Sequence, residues 1–178
     1  VVHASRLMEA AVATGLPVWV GISCSQLADG TLVGWDINQE GRVRGPRQRN
    51  PIAVGSGDDN IAWKTPALAE IIQALRSIGG EVFGIMHSSV ETTPLGLATM
   101  FENWPGPVMA YPETMIFNHD TNQSEIKVSE SDFSSACRAW VESGVQIIGG
   151  CCGTTIEHIR QMVDHLPTHV GPRTDMTN

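Results

Sequence analysis

Basic residues are scarce in this chain: eleven Lys plus Arg face nineteen Asp plus Glu, a formal charge of -8 over 178 residues. A nucleic-acid binder carries a basic face, so this balance argues against one. Long apolar runs are missing too. None reaches the roughly 18 residues that a membrane-spanning helix needs, so no membrane partner is expected. Val1 to Gly15 has no charged start followed by an apolar block and a cleavage site, so no secretory leader is expected. The first residue is Val rather than Met, and a fragment or processed product is the expectation. Cysteine is sparse: Cys24, Cys137, Cys151 and Cys152 are too few and too unevenly spaced for the disulfide framework of a small secreted domain. Adjacent cysteines such as Cys151 and Cys152 bond to each other only with strain. Free thiols in a reducing, cytoplasmic setting follow, available to bind metal.

What is present is an ordinary globular balance, 42% hydrophobic and 17% charged, in a length that suits one domain with its own core. Ser5 to Ala13 reads as a helix with Leu7, Met8, Ala11 and Val12 on one face, stopped at Gly15. Val18 to Ser23 reads as a buried strand. From 26 to 60 periodicity fades, and a long excursion loop is expected, with Arg42, Arg44, Arg47 and Arg49 in it and a small hairpin around Gly41 as the alternative.

Regularity returns at Pro66. Leu68, Ile71, Ile72, Leu75 and Ile78 form a helix stripe ending at Gly79-Gly80. Strands follow at Glu81–Met86, Pro107–Tyr111 and Val145–Ile148. Helices follow at Pro94–Asn103, Ser131–Ser143 and Thr155–Leu166. The last is expected to bury Ile156, Ile159, Val163 and Leu166, and the tail after Pro167 is expected to be loose. Apolar strands alternating with amphipathic helices predict a parallel α/β sheet, either open or part of a (β/α)8 barrel. A full barrel takes ~250 residues, so this chain amounts to about half of one.

The segment that carries chemistry is Gly149-Gly150-Cys151-Cys152-Gly153-Thr154-Thr155. It follows a strand and opens a helix, which puts it at the carboxyl end of the sheet, where ligands bind. Thiols at a helix N-terminus gain thiolate character, and the thiolate is the zinc-binding form. Two small buried thiols are the bland alternative. The candidate third ligand ends another strand: His87, in Gly84-Ile85-Met86-His87-Ser88-Ser89, although taken alone a strand-end histidine is more often a hydrogen-bonded structural residue. A Cys2His set with an open fourth position is the layout of a catalytic zinc.

Gly149 to Thr155, preceded by Trp140 to Ile148 and followed by Glu157-His158-Ile159, resembles the C-terminal signature of the homocysteine S-methyltransferase family. Pro17 to Ser25, Ala28-Asp29-Gly30-Thr31 and Ala110-Tyr111-Pro112 resemble further family segments in the same order. The resemblance implies a (β/α)8 TIM-barrel fold, with residues 1–178 forming the C-terminal part of one homocysteine-binding barrel domain. It implies a Zn2+ held by three cysteines, two of which match Cys151 and Cys152. It also implies a small-molecule thiol substrate and a sulfonium or ammonium methyl donor. In the family mechanism zinc acidifies the thiol, which then attacks the donor's methyl group.

Two departures stand out. Met86-His87 replaces the family's Asn-Cys, so the third ligand becomes a histidine, and Pro112-Glu113 replaces Pro-Asn, so a neutral group becomes an acid. Two thiolates and a neutral imidazole leave a zinc site without net charge, where three thiolates leave one negative charge. The neutral site acidifies a bound thiol more strongly and leaves its sulfur a weaker nucleophile. The expected metal ligands are therefore His87, Cys151 and Cys152. Glu113, for a cationic donor or a substrate amine, and Ser88, beside His87, are the substrate-binding candidates.

Cys24 is a reserve ligand or a core residue, and Cys137 reads as core. His119-Asp120 is a base and orienting acid or an exposed turn, and Gly55-Ser56-Gly57 only faintly resembles a phosphate loop. His158 and His165 read as exposed. Trp19, Trp35, Trp63, Trp104 and Trp140 read as packing. Competing functions are a zinc hydrolase or lyase on the same scaffold and a degenerate family member whose zinc only staples loops. Half a barrel leaves sheet edges unpaired, so a homo-oligomer or pairing with a missing N-terminal half is expected.

Overall fold

The computed structural model describes residues 1–27, 29–34, 66–118, 123–169 and 171. The arginines from Arg42 to Arg49, the hairpin around Gly41, Gly55-Ser56-Gly57, His119-Asp120, Ala28, Trp35 and Trp63 lie outside the described residues.

Helix α1 (Val2–Val12) leads into strand β1 (Trp19–Ile22), then β2 (Cys24–Gln26) and β3 (Leu32–Gly34). Helix α2 (Leu68–Arg76), strand β4 (Val82–Ser89), helix α3 (Thr93–Asn103) and strand β5 (Val108–Glu113) follow. The chain continues through β6 (Met115–Asn118), β7 (Gln123–Ile126), α4 (Glu130–Glu142), β8 (Ile147–Ile148) and α5 (Ile156–His165). The main sheet is parallel, in the order β1-β4-β5-β8. Its order follows the chain order without reversal. β2 with β3, and β6 with β7, form two antiparallel hairpins beside it.

Sequence and structure agree on the alternation of strands and helices. The apolar stripes of α2, α3 and α4 bury Leu68, Ile72, Leu75, Leu97, Met100, Phe133, Cys137 and Trp140. They pack on Ile22, Phe83, Ile85, Val108 and Ala110 from the strands, forming one core. The opposite face of the sheet carries Trp19, which is 54% exposed, and Met86, which is 36% exposed. Parallel sheets normally have both faces covered, whereas among the described residues this face is covered only in part, with Val82 and Met109 buried on it.

Several expectations need correction. In α1, Met8 is buried but Leu7 is 74% exposed. In α5 most of the expected buried stripe is turned outward: Ile156 and Val163 are 66% exposed and Ile159 is 37% exposed, while Leu166 packs against the core half-buried and His158 and Met162 face it. The hydrophobic period was right for a helix, but the face that meets the core is fixed by what α4 offers. There Phe133 packs edge-on against the His158 ring, with centroids 5.4 Å apart. Of the excursion expected over residues 26–60, Gln26 ends β2 and Leu32–Gly34 forms β3, while residues 35–60 lie outside the described residues. The hairpin β6–β7 was not expected, because Gln123 to Ile126 are all exposed and show no apolar alternation.

Buried cysteines make stability pH-dependent. Burial pushes the Cys137 thiol from an ordinary 9.0 up to about 12, and burial also raises Cys24 against a smaller opposing hydrogen bond to Ser88. An acid raised by folding stabilises fully below its unfolded value and loses that contribution as pH rises through its folded value. The metal-free chain is therefore expected to weaken between about pH 9 and about pH 12. Denaturant midpoints measured at stepped alkaline pH check this, and a midpoint that stays level across that window contradicts it.

Candidate metal centre

The site forms where β4, β5 and the loop after β8 end together. Parallel pairing sets this convergence: Ile85 lies opposite Ala110, and Ala110 opposite Ile148. The ladder then continues past β8 through the cysteines. Gly149 N–H donates to the Ala110 carbonyl at 3.1 Å, and Cys151 N–H to the Pro112 carbonyl at 2.9 Å. Thr114 N–H returns to the Cys152 carbonyl at 2.9 Å. Gly153 then turns with φ +80°, a left-handed conformation that costs glycine little, and a Cβ there would press to 2.6 Å from the Met115 Cβ.

The thiols do not occupy the helix N-terminus that the sequence suggested. Helix α5 begins at Ile156, with Thr155 as its cap. Thr155 Oγ1 accepts from His158 N–H at 3.4 Å, and His158 Nδ1 accepts from Thr155 N–H at 3.2 Å. That reciprocal capping box satisfies two helix donors without the cysteines. His158 is buried, not exposed, and its Nε2 lies 3.0 Å from the Val128 carbonyl. The electrostatics follow this geometry. The Cys152 thiol is raised rather than lowered: burial comes first, then its hydrogen bond with Cys151, and then the charges of Cys151 and Glu113. Thiols crowded in this way give up their protons more readily when a cation is placed among them.

His87 enters from β4. The strand runs past the expected end at Met86 and carries a bulge: Met86 pairs with Tyr111 but Ser89 pairs with Glu113. His87 sits in this bulge with φ +49°, the one non-glycine residue with positive φ among the described residues. That conformation costs about 1–2 kcal/mol for a side chain with a Cβ, and such strain collects at functional sites.

The three expected ligands converge. The Cys151 and Cys152 sulfurs are 3.7 Å apart, and His87 Nδ1 lies 3.6 Å from the Cys152 sulfur and 3.8 Å from that of Cys151. Tetrahedral zinc with bonds of about 2.3 Å to sulfur and about 2.0 Å to nitrogen requires sulfur–sulfur and sulfur–nitrogen separations of about 3.8 and about 3.5 Å. The donor atoms thus already stand near three corners of such a tetrahedron, and the residues present fit the ion. They are the one group of three His, Cys, Asp or Glu side chains among the described residues whose ligand atoms all lie within 4.8 Å of one another.

The profile of the homocysteine S-methyltransferase family matches residues 2–166. The chain belongs to this family. Membership suggests methyl transfer, and the family is usually zinc-dependent. In this family member Glu113 also reaches the site, with a carboxylate oxygen 3.4 Å from His87 Nδ1.

Ser88 behaves differently from Glu113. It is 2% exposed, and its hydroxyl turns to Cys24 N–H at 2.9 Å rather than to the open rim. Cys24 is itself buried and stands outside the ligand group. Cys137 lies in the core as expected. Trp140 packs in the core, and Trp104 stacks on Phe83 with ring centroids 4.3 Å apart. Trp19 is exposed on the open sheet face, against the packing role expected for it. Sequence reasoning missed Thr114, which grips the cysteine loop, and His158, which caps the helix behind it. A His three residues after a Thr at a helix start was the available signal for the second.

Among the described residues no helix is long and apolar enough to cross a membrane.

Proposed function

We propose that this chain is a zinc-dependent methyltransferase that moves a methyl group from a sulfonium or ammonium donor to a thiol such as homocysteine. The observation that carries the reading is the tetrahedral spacing of the Cys151, Cys152 and His87 donor atoms. These three residues would hold the ion and leave a fourth position for the substrate. Zinc supplies Lewis acidity, which lowers the pKa of a thiol substrate. Glu113, half-buried at the rim, offers a negative charge to a cationic donor or to a substrate amine. The strand ends and the cysteine loop hold these groups on rigid backbone, so that thiol and methyl can be kept close and in line.

The same reading takes the sheet as part of a (β/α)8 barrel. Its support is the monotonic strand order, the single core on one face and the site at the carboxyl ends of the strands. The exposed Trp19 and Met86 on the other face then call for further βα units, from elsewhere in a longer polypeptide or from a second copy. The four free thiols support a reducing, cytoplasmic setting.

X-ray absorption on the zinc-loaded chain tests the function. Homocysteine is expected to add one sulfur to the pair from Cys151 and Cys152. In the His87→Ala variant zinc is expected to bind about 10–1,000-fold more weakly, one ligand of a tight site being lost. Full zinc content at unchanged affinity in that variant removes His87 from the site. A second reading, a zinc hydrolase or lyase, is favoured by Glu113: a carboxylate beside the open position is placed to take a proton from a nucleophile. A sulfur count unmoved by homocysteine supports that reading against methyl transfer.

A further inference from the structure

We propose that Ser88 is a positioning residue of the metal centre, its hydroxyl clamping the bulge that aims His87 at the two thiols. The proposal rests on the zinc reading of His87, Cys151 and Cys152.

The argument begins with strand alternation. Phe83 and Ile85 face the helices and are fully buried, while Met86 points to the open face. Regular pleating would send residue 87 to the helix side and residue 88 to the open side. The structure shows the reverse order of burial. Ser88 is 2% exposed, and the His87 side chain is 36% exposed on the rim. The extra residue between Met86 and Ser89 makes the exchange, since a bulge re-aims the side chains around it.

A bulge with a left-handed histidine needs a tether. Ser88 Oγ accepts from Cys24 N–H at 2.9 Å, and its one hydroxyl hydrogen has two acceptors in reach, the Met86 carbonyl at 3.1 Å and, farther off, the Cys24 sulfur at 3.7 Å. The bond from Cys24 N–H crosses to the start of β2, just beyond Ile22, where β1 makes its last pairing with β4. The hydroxyl thus takes over where the ladder stops. The bond to the Met86 carbonyl closes the bulge on itself, across His87. Between them they fix the backbone on both sides of the imidazole, whose Nδ1 then stands 3.6 Å and 3.8 Å from the two sulfurs. Residues that orient a ligand without touching the ion commonly change metal affinity by about 10–100-fold.

The test uses the full chain loaded with cobalt(II), with Ser88→Thr and Ser88→Val as a pair nearly equal in shape and different in the hydroxyl. The Thr variant is expected to keep the wild-type spectrum and affinity. The Val variant is expected to bind about ten-fold more weakly or worse. It should keep the thiolate-to-cobalt charge-transfer band while its d–d bands shift as the imidazole leaves its place. A merely structural Ser88 would lower the melting temperature of the metal-free Val variant and leave its cobalt spectrum at the wild-type position, and that result overturns the proposal. The wild type provides a second measurement that needs no variant to fold: metal is expected to slow hydrogen exchange at the Cys24 amide by about five-fold or more. Equal rates with and without metal overturn the clamp. A wild type without any thiolate-to-cobalt band defeats the zinc reading itself and this proposal with it, whereas a normal band with identical Val and Thr spectra defeats the clamp alone.

Discussion

Serine at both Cys151 and Cys152 is expected to abolish stoichiometric zinc binding while leaving the fold in place. Zinc bound by four good protein ligands is held by about 10–16 kcal/mol, or roughly 2.5–4 kcal/mol per ligand. Losing two thiolates then costs about 5–8 kcal/mol, which weakens binding by about four to six orders of magnitude. Serine replaces each sulfur at little cost elsewhere, because both cysteines are only half-buried and the loop is held by backbone hydrogen bonds through Cys151 N–H and the Cys152 carbonyl. Far-ultraviolet circular dichroism of the metal-free double variant should therefore match that of the wild type. Chelator competition measures the affinity. A double variant that still carries one zinc per chain against a nanomolar chelator would show that the metal sits elsewhere.

The largest expected effect on stability comes from Gly84→Val. Gly84 pairs with Gly21 on one side and Met109 on the other, in the middle of the parallel sheet. A Cβ there would lie 2.6 Å from the Met109 carbonyl carbon and closer still to its oxygen. Backbone of a central strand cannot yield as the end of a flexible side chain can. Forcing side chains into a packed core costs typically about 1–3 kcal/mol, and a backbone collision belongs at or above the top of that range. For a domain of this size about 3 kcal/mol lowers the melting temperature by about 6–12 °C. Thermal denaturation of the variant checks it, and a melting temperature within about 2 °C of the wild type would mean that β4 and β5 are not packed this closely.

These two cases mark what could be read without coordinates. Cys151 and Cys152 announced themselves by residue type and neighbours, and His87 mainly by standing where the family resemblance has its third cysteine. The reason for Gly84 was invisible, because it lies in a pairing register between strands well separated along the chain. The same divide holds for His87 itself. Its identity was legible, but its left-handed backbone and its bulge were not. Glu113 was found as an acid where the family has an amide, and the structure places it beside the imidazole. Ser88 was expected to face substrate, and the bulge turned it inward to Cys24.

Helices α2 to α4 and the four strands of the main sheet were determined by local sequence, since hydrophobic period and glycine or proline breaks act within a few residues. The two hairpins were not, because their short strands show little alternation and gain their partners only from the register of the hairpin itself. Which face of α5 meets the core was likewise decided by the tertiary structure: Ile156, Ile159 and Val163 have the right spacing for burial, yet His158 and Met162 take the core side. Period is a property of one segment, whereas direction depends on what the neighbouring segment presents. The sequence by itself thus determined the alternating α/β class and the donor atoms of the site. Only the folded chain decided that those donors stand at tetrahedral separations, because that distance is set by parallel pairing of β4, β5 and β8 and by one extra residue in β4.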